Sequence, residues 1–182
     1  MKLDKNIKLV LLDRDGCVNV KAPKGQYVST LQDFRIYPDA LDFIVACINF
    51  GVHISVVTNQ QGISKGAYSE ADVKKIHLEL MRVSKASTAQ LSLYYCPHEK
   101  NTCECRKPKS GLLEEAIKGV RVQRHQVLFI GDQISDLQAA RGANVNFVGL
   151  YRNEDVKFPR GTLTIRSLKE IQFEPQEKEK EN

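Results

Sequence analysis

The 182-residue sequence contains no run of apolar residues long enough to cross a membrane, which excludes a membrane-spanning protein. It has no strong excess of one charge, since 27 basic and 22 acidic residues give a net charge of +5. This value suits small anionic ligands as well as nucleic acid. The sequence also has no internal repeat, and we expect no secretory leader because residues 1–5 lead directly into the first apolar segment. We therefore expect a cytoplasmic protein whose five cysteines bind metal or stay free rather than form disulfides.

Apolar segments and segments of helical spacing alternate along the chain, a pattern typical of a parallel β-sheet with helices on both faces. The predicted strands are the segments 7–12, 52–57, 91–95, 127–130 and 146–150. The predicted helices begin at Pro38, Ser69, Ser110 and Ser135. We expect one three-layer, doubly wound, Rossmann-like α/β domain over residues 1–173, followed by a charged, disordered tail at 174–182.

Two carboxylates, Asp13 and Asp15, end the first predicted strand and are followed by Gly16. Because residues i and i+2 of a strand point to the same face, we expect both carboxylates to lie together. Like charges at such a distance are costly unless a cation neutralises them, and Mg²⁺ prefers carboxylate and carbonyl oxygens together with a phosphate. Taken alone, the motif could also be a solvated acidic turn.

Polar side chains follow other predicted strands as well. Thr58 and Asn59 end the second strand, Asp132 follows the fourth, and Lys107 lies in the loop beyond the third. Ligands bind beyond the carboxyl ends of the strands in such sheets, so we expect these side chains to converge on Asp13. Phosphoryl transfer needs a nucleophile, an acid/base, groups that stabilise the phosphoryl oxygens and a further carboxylate for Mg²⁺. These roles fall, in that order, to Asp13, Asp15, Thr58 with Lys107, and Asp132.

Asp136 leaves two interpretations open. It lies four residues after Asp132 and could support Lys107, or the cation through a water molecule. It could equally cap the helix that follows the fourth strand.

Three of the five cysteines lie in the segment 96–105. The spacing there is C-x-H-x₄-C-x-C, formed by Cys96, His98, Cys103 and Cys105. Three thiolates and one imidazole match tetrahedral Zn²⁺, and four protein ligands leave no open coordination position, so we expect a structural zinc. The alternative is that these cysteines are unligated and pack as small hydrophobic residues. A zinc loop would fix the backbone that leads directly into Arg106 and Lys107.

The order of these motifs resembles that of the haloacid-dehalogenase superfamily of phosphatases. The resemblance extends from Leu9 to Leu150 and rests on Asp13-Arg14-Asp15-Gly16, Thr58-Asn59, Lys107-Pro108 and Gly131-Asp132-Gln133-Ile134-Ser135-Asp136. It implies an aspartyl-phosphate intermediate on Asp13 and an acid/base role for Asp15. It also implies that Mg²⁺ is bound by Asp13, the main-chain carbonyl of Asp15 and Asp132.

The zinc loop narrows this resemblance. Cys-Pro-His followed by Cys-x-Cys-Arg-Lys-Pro, together with Thr-Asn-Gln-x-Gly-Ile, resembles the D-glycero-D-manno-heptose 1,7-bisphosphate phosphatases and the related histidinol-phosphate phosphatases. The first group implies removal of the 7-phosphate in lipopolysaccharide and ADP-heptose biosynthesis. The second, from histidine biosynthesis, is the alternative. The resemblance implies substrate contacts from Asn59, Gln60, Gln61, Arg106, Gln133 and the loop residues Gly25, Gln26 and Tyr27.

The sequence departs from the heptose group in ways that leave the substrate open between heptose bisphosphate and histidinol phosphate. Cys17 stands in place of threonine, Lys65 in place of arginine and Gln133 in place of lysine, and the loop 20–27 is longer. Cys17 is either sensitive to oxidation or a packing residue. Too few residues separate the motifs for a large cap domain, so we expect an open site for a small phosphorylated sugar or amino alcohol.

Two other function classes are alternatives. A non-catalytic phosphoacceptor module stores phosphate on an aspartate, but such modules lack the second carboxylate and the zinc loop. A nucleic-acid 3′-phosphatase would need a binding surface. The basic residues Lys74, Lys75, Arg82 and Lys85 have no interleaved aromatic residues and are typical of a solvated helix face. We therefore expect no nucleic-acid partner. We also expect a monomer, because the sequence shows no exposed heptad pattern or apolar edge.

Overall fold

The computed structural model describes residues 1–152 and 156–173, so the predicted tail at 174–182 lies outside the described residues. The strands are β1 (Leu9–Leu12), β2 (His53–Asn59), β3 (Leu91–Cys96), β4 (Val127–Gly131), β5 (Asn146–Leu150) and β6 (Thr164–Ile165). The helices are α1 (Pro38–Asn49), α2 (Glu70–Ser84), α3 (Gly111–Val120) and α4 (Ile134–Ala143). Two short 3₁₀ helices span Arg124–Gln126 and Leu168–Glu170. None of the helices within the described ranges is long and apolar enough to cross a bilayer.

The six strands form one parallel sheet in the order β3-β2-β1-β4-β5-β6. β1 lies inside the sheet, where Leu12 is opposite Val56 of β2 and Ile130 of β4. The chain builds outward from β1 to β3 on one side and then returns to place β4 on the other, so the strand order reverses between β1 and β4. The loops diverge at such a reversal and leave a crevice beyond the carboxyl ends of the strands, where ligands bind.

Helices cover both faces of the sheet. Along β1, Val10 and Leu12 belong to one apolar cluster and Leu9 and Leu11 to another, because successive strand residues point to opposite faces. The first cluster includes residues of α1 and α2, and the second includes residues of α3 and α4. The predicted three-layer, doubly wound α/β fold is therefore confirmed. The elements within the described ranges form no separate cap domain.

Helix boundaries follow the signals in the sequence. Ser69 caps α2, since its hydroxyl accepts a hydrogen bond from the Asp72 N–H while the Asp72 carboxylate accepts one from the Ser69 N–H. Gly51 follows α1 with a φ of +71°, a left-handed conformation that glycine adopts without a steric penalty. Both devices end or begin a helix next to the sheet and so fix how the helices pack on it.

The sequence did not predict β6. This strand has two residues, Thr164 and Ile165, which lie opposite Gly149 and Leu150 of β5. Two residues are too few to show the alternation that identifies a strand, so it forms only because β5 offers an edge to pair with.

Candidate active site

Asp13 extends β1 by one hydrogen bond, because its main-chain N–H donates to the Ile130 carbonyl oxygen of β4 at 3.1 Å. The chain then turns at Arg14. The Arg14 carbonyl oxygen accepts hydrogen bonds from the main-chain N–H groups of Cys17, Val18 and Asn19. Gly16 closes this turn with a φ of +99°. β1 itself ends at Leu12, so Asp15 lies beyond the strand, but its carboxylate is close enough to Asp13 for its charge to raise the pKa of Asp13.

Carboxylates that follow two neighbouring strands meet at this edge of the sheet. Asp13 follows β1, Asp132 and Asp136 follow β4, and oxygens of all three lie within 4.8 Å of one another. All three residues are buried. Negative charges crowded together away from water are costly unless cations neutralise them, so this cluster needs positive charge.

Lys107 supplies part of that charge from the loop between β3 and α3. Its Nζ lies 2.6 Å from Asp13 Oδ1, 2.8 Å from Asp136 Oδ1 and 2.9 Å from the Val57 carbonyl oxygen. Burial alone would lower the pKa of Lys107, but the charges of the two carboxylates outweigh burial and raise it. Asn59 fixes the Lys107 main chain through two hydrogen bonds of 3.0 and 3.1 Å. The ammonium is therefore a charged group held in one place.

A second ammonium group, that of Lys21, pairs with Asp132. Lys21 Nζ donates to Asp132 Oδ2, and Gln133 Nε2 donates to the same oxygen at 2.9 Å. The other oxygen, Oδ1, is buried and has no hydrogen-bond partner among the described residues. An orphaned carboxylate oxygen inside an acidic cluster is the kind of donor that Mg²⁺ prefers, so the residues present fit the predicted cation.

The pKa values of the carboxyl groups reflect this crowding. Burial raises the pKa of Asp13 from 3.8 to about 6, with Lys107 opposing the rise and Asp136 adding to it. Burial and the charge of Asp13 also raise the pKa of Asp132. Two ammonium groups do not fully compensate three carboxylates, so the cluster attracts a further cation.

Asp136 does both of the jobs that the sequence left open. Its Oδ1 pairs with Lys107, and its Oδ2 accepts a hydrogen bond of 3.0 Å from the Gln133 N–H at the start of α4. Glycine precedes Asp132 for a steric reason, since a Cβ on Gly131 would lie 2.5 Å from Asp136 Oδ2. The capping bond and the ion pair together fix one rotamer of Asp136 beside the crevice.

Asp15 is held by donors from both sides. Arg14 Nη2 lies 2.9 Å from Asp15 Oδ2, and Asn19 Nδ2 donates to Asp15 Oδ1 at 3.0 Å. Gln60 Nε2 donates to Asp15 Oδ2 at 3.0 Å and to Thr58 Oγ1 at 2.8 Å. The loop after β2 therefore joins the predicted acid/base to the predicted phosphoryl-binding hydroxyl.

Gln60 is oriented by Tyr68, a residue that the sequence did not single out. The Tyr68 hydroxyl donates to Gln60 Oε1 at 2.5 Å. The Tyr68 ring packs edge-on against Tyr27, with 5.4 Å between ring centroids. Gln60 is 2% exposed, and both ends of its amide are bonded to protein side chains.

The other predicted substrate residues divide into two groups. Arg106 Nη2 donates to Gln61 Oε1 at 3.4 Å, which links the loop after β2 to the loop after β3. By contrast, the side chain of Asn59 bonds the Lys107 main chain, and that of Gln133 bonds Asp132. The second group supports other site residues.

The loop after β1 borders a cavity beside the site. Gln26 and Tyr27 line this cavity of about 210 Å³, as does Lys21. Gly25 is exposed in the same loop and has a φ of +85°. Gln26 and Tyr27 therefore share a cavity with Lys21, the side chain that reaches Asp132, and Gly25 lies in the same loop.

The predicted zinc ligands gather at the end of β3. Cys96 Sγ lies 3.6 Å from His98 Nδ1 and 3.5 Å from Cys103 Sγ. Cys105 Sγ lies 3.3 Å from His98 Nδ1 and 3.4 Å from Cys103 Sγ. A disulfide would need about 2.05 Å, whereas ligands about 2.3 Å from a tetrahedral zinc place sulfur atoms about 3.8 Å apart. The four groups therefore fit a metal ion better than a disulfide.

Cys17 lies under the acidic turn and is fully buried. Its Sγ is 3.7 Å from the Ile130 carbonyl oxygen. Burial, together with the negative charges of Asp13 and Asp132, raises the pKa of this thiol. A buried, protonated thiol is a poor nucleophile, so Cys17 packs and is not a site of ready oxidation.

Lys21, Asn19 and Tyr68 are the site residues that sequence reasoning missed. Each is a single polar residue in a loop, outside any motif with fixed spacing. Their contacts depend on the path of the loops, which no local pattern indicates.

The sequence matches one protein-family model and is similar to individual proteins of known name. The family model described as polynucleotide kinase 3 phosphatase matches residues 8–161, a range that contains all of the candidate site residues. The D-glycero-beta-D-manno-heptose-1,7-bisphosphate 7-phosphatase of Pseudomonas aeruginosa is 32% identical over 167 residues, which cover 88% of this chain and 93% of that protein. The histidine biosynthesis bifunctional protein HisB of Campylobacter jejuni is 31% identical over 141 residues, covering 76% of this chain and 40% of that protein.

A solved structure shows the same architecture. The D,D-heptose 1,7-bisphosphate phosphatase from B. bronchiseptica, crystallised in complex with magnesium and phosphate, is similar with a TM-score of 0.76 and 26% sequence identity. The similarity covers 89% of this chain and 94% of that chain, and therefore nearly the whole of both folds.

Proposed function

We propose that this chain hydrolyses D-glycero-D-manno-heptose 1,7-bisphosphate. The chain belongs to the polynucleotide kinase 3 phosphatase family and to the haloacid-dehalogenase superfamily of phosphatases, and this membership is the premise of the proposal. The reaction would remove the 7-phosphate with the help of Mg²⁺. The observation that carries the proposal is the position of Asp13 at the reversal of strand order, 2.6 Å from the Lys107 ammonium and beside Asp132.

Asp13 is the proposed nucleophile. One of its carboxylate oxygens forms a bond to phosphorus while the bond from phosphorus to the sugar oxygen breaks, which leaves an aspartyl phosphate. A pKa of about 6 keeps Asp13 ionised near pH 7. Lys107 neutralises charge on the transferred group. Thr58 can donate to a phosphoryl oxygen, because its Oγ1 accepts from Gln60 and keeps its own proton.

Asp15 is the proposed acid/base. It gives a proton to the departing sugar oxygen. It then takes a proton from the water molecule that attacks the aspartyl phosphate, while the bond from phosphorus to the Asp13 oxygen breaks and phosphate is released. Arg14, Asn19 and Gln60 hold its carboxyl group in place for both steps. This restraint matters because proton transfer depends on hydrogen-bond distance.

Two metal ions belong to the proposal. Mg²⁺, bound by Asp13, Asp132 and the main-chain carbonyl of Asp15, would supply positive charge to the phosphoryl oxygens. A structural Zn²⁺ would be bound by Cys96, His98, Cys103 and Cys105. Its task would be to hold the loop that presents Arg106 and Lys107.

The side chains around the crevice suggest how substrate is held. Arg106 and Gln61 are proposed to contact the sugar part, as are Gly25, Gln26 and Tyr27 from the loop after β1. Asn59, Gln60 and Gln133 are proposed to position Lys107, Asp15 and Asp132 rather than to touch substrate.

A substrate panel tests the proposal. Phosphate release in the presence of Mg²⁺ is measured for both anomers of the heptose bisphosphate, for histidinol phosphate and for a 3′-phosphorylated oligonucleotide. We expect the highest kcat/KM for one heptose anomer, with the 7-phosphate lost. Asp13→Asn should abolish turnover, whereas Asp42→Asn, which removes a carboxylate that is 68% exposed on α1, should not. A higher kcat/KM for either of the other compounds would contradict the proposed substrate.

Two of those compounds represent second candidates with support of their own. The likeness to the HisB protein favours histidinol phosphate. The description of the matching family model favours the 3′-phosphate of a nucleic acid. The relative named as a heptose bisphosphate phosphatase is matched over 88% of this chain and 93% of its own length, against 76% and 40% for HisB, so the sugar phosphate is the first choice.

We also infer a monomer that works in the cytoplasm. The large exposed apolar side chains within the described ranges are Met1, Leu31, Leu78 and Leu163; Met1 and Leu163 border one cavity, but four such side chains are far fewer than a stable dimer interface needs. A cluster of three thiols must stay reduced to bind zinc, which fits a reducing compartment. Light scattering after size exclusion tests the oligomeric state, and a dimer at micromolar concentration would contradict it.

A further inference from the structure

Lys21 reaches the candidate cation site across the acidic turn. Its Nζ donates to Asp132 Oδ2. The path runs over Gly16, where a Cβ would lie 2.8 Å from Lys21 Cε and 2.5 Å from Asp132 Oδ2. The glycine in the turn therefore makes room for a lysine that comes from the loop after β1.

The two lysines divide the three carboxylates between them. Lys107 pairs with Asp13 and Asp136, and Lys21 pairs with Asp132. Burial lowers the pKa of Lys21, but Asp132 and, more weakly, Asp13 and Asp136 outweigh burial and raise it. The five side chains carry a formal charge of −1, which a bound divalent cation would turn into +1 if both ammonium groups stayed.

The lysines differ in how freely they can leave. The Lys107 side chain is 3% exposed and also bonds the Val57 carbonyl, whereas the Lys21 side chain is 37% exposed. Lys21 also lines the cavity of about 210 Å³ beside Gln26 and Tyr27. When a cation binds the orphaned Oδ1 of Asp132, the repulsion between like charges a few ångströms apart acts on both lysines, and only Lys21 has space to withdraw.

We propose that Lys21 is a displaceable counter-ion of the cation site. Its ammonium neutralises Asp132 while the divalent cation is absent, and the cation drives it from Asp132 into the adjacent cavity. Metal binding is thereby coupled to the loop 20–27, which borders the crevice. This inference rests on the proposed Mg²⁺ site at Asp13 and Asp132.

Metal binding without turnover tests the proposal. The dissociation constant for Mg²⁺ is measured by titration calorimetry on the zinc-loaded protein, for the wild type, Lys21→Met and Lys24→Met. Lys24 is an exposed lysine of the same loop and serves as the matched control. We expect Lys21→Met to bind Mg²⁺ roughly three- to tenfold more tightly, because a partly exposed ion pair no longer has to be broken. The control should equal the wild type.

The outcomes distinguish a failure of the Lys21 proposal from a failure of the proposed function. If the wild type binds Mg²⁺ and Lys21→Met binds it equally or more weakly, Lys21 is not a competitor of the cation, although the proposed function stands. If the wild type does not bind Mg²⁺, the proposed Mg²⁺ site is wrong, and with it the proposed function.

A second measurement uses the unaltered protein and so does not depend on folding of a variant. Lysine acetylation by a water-soluble reagent is quantified by mass spectrometry with and without saturating Mg²⁺. We expect the cation to raise the labelling rate of Lys21 at least about threefold, because the amine leaves its carboxylate partner. Lys24 should label equally in both states. An unchanged or slower reaction at Lys21 would overturn the proposal.

Discussion

Gln60 Nε2 lies 3.0 Å from Asp15 Oδ2, so the proposed acid/base is held by an amide that solvent does not reach. A glutamine can present either its oxygen or its nitrogen, and only the nitrogen stabilises a carboxylate. Tyr68 reinforces the second orientation, because its hydroxyl donates to Gln60 Oε1 at 2.5 Å. Tyr68 thus helps to position Asp15 without touching it, through Gln60.

Tyr68→Phe should therefore weaken acid catalysis selectively. We expect kcat/KM for an alkyl phosphate to fall roughly tenfold, a part of the full effect of general acid catalysis. For 4-nitrophenyl phosphate the fall should be less than about twofold, because nitrophenolate departs without a proton. Steady-state phosphate release on both esters measures the difference, since kcat/KM reports the steps up to formation of the phospho-enzyme.

Tyr95→Phe is the matched control for that substitution. Tyr95 also donates its hydroxyl to a side chain, Glu70, at 2.7 Å, but on the surface. Tyr95→Phe should therefore leave kcat/KM unchanged for both phosphate esters. Equal losses on the two esters in Tyr68→Phe would show that Tyr68 does not act through Asp15.

Lys107 should be required for stability as well as for turnover. Lys107→Met leaves Asp13 and Asp136 buried without their shared cation, and removal of one partner from a buried ion pair typically costs about 3–5 kcal/mol. Urea unfolding in Mg²⁺-free buffer measures this loss. Lys109→Met, at a lysine that is 42% exposed, should change the free energy of unfolding by less than about 0.5 kcal/mol. Equal stability of the two variants would mean that the acidic cluster has another source of charge.

The edge of the sheet that carries the site could be predicted from the sequence. Asp13, Thr58 and Asp132 each follow a nearly continuous apolar segment, and parallel strands bring such ends together whatever the loops do. The zinc ligands are equally local, since they extend only from Cys96, the last residue of β3, to Cys105 in the loop that follows it. These parts depend only on strand order and spacing.

Contacts made by loops could not be predicted in the same way. Lys21 and Tyr68 reach Asp132 and Gln60 from segments with no fixed spacing to them. A motif also does not tell whether a side chain points outward or inward, and the buried amide of Gln60 shows the difference. Tertiary packing decides both matters, and it acts over the whole chain rather than over a window of residues.

Zinc content tests the cysteine loop. Cys105→Ser should lose the metal, because serine is a poor ligand for Zn²⁺ and three ligands remain. Cys47→Ala should keep it, since Cys47 is a buried free cysteine of α1. Mass-spectrometric metal analysis should find one zinc per chain in the wild type and in Cys47→Ala. Zinc retained in Cys105→Ser, or absent from the wild type, would contradict the assignment.

His77 on α2 should make stability depend on pH. Burial lowers its pKa from 6.5 to about 4, and its Nδ1 has no hydrogen-bond partner among the described residues. The folded state therefore favours neutral imidazole, so this contribution is complete above pH 6.5 and is lost as the pH falls towards 4. Between pH 7.5 and 5, urea unfolding should show His77→Gln losing about 1–2 kcal/mol less stability than the wild type. The exposed control, His125→Gln, should follow the wild type, and a variant at position 77 that also follows it would contradict this role of the partly buried imidazole.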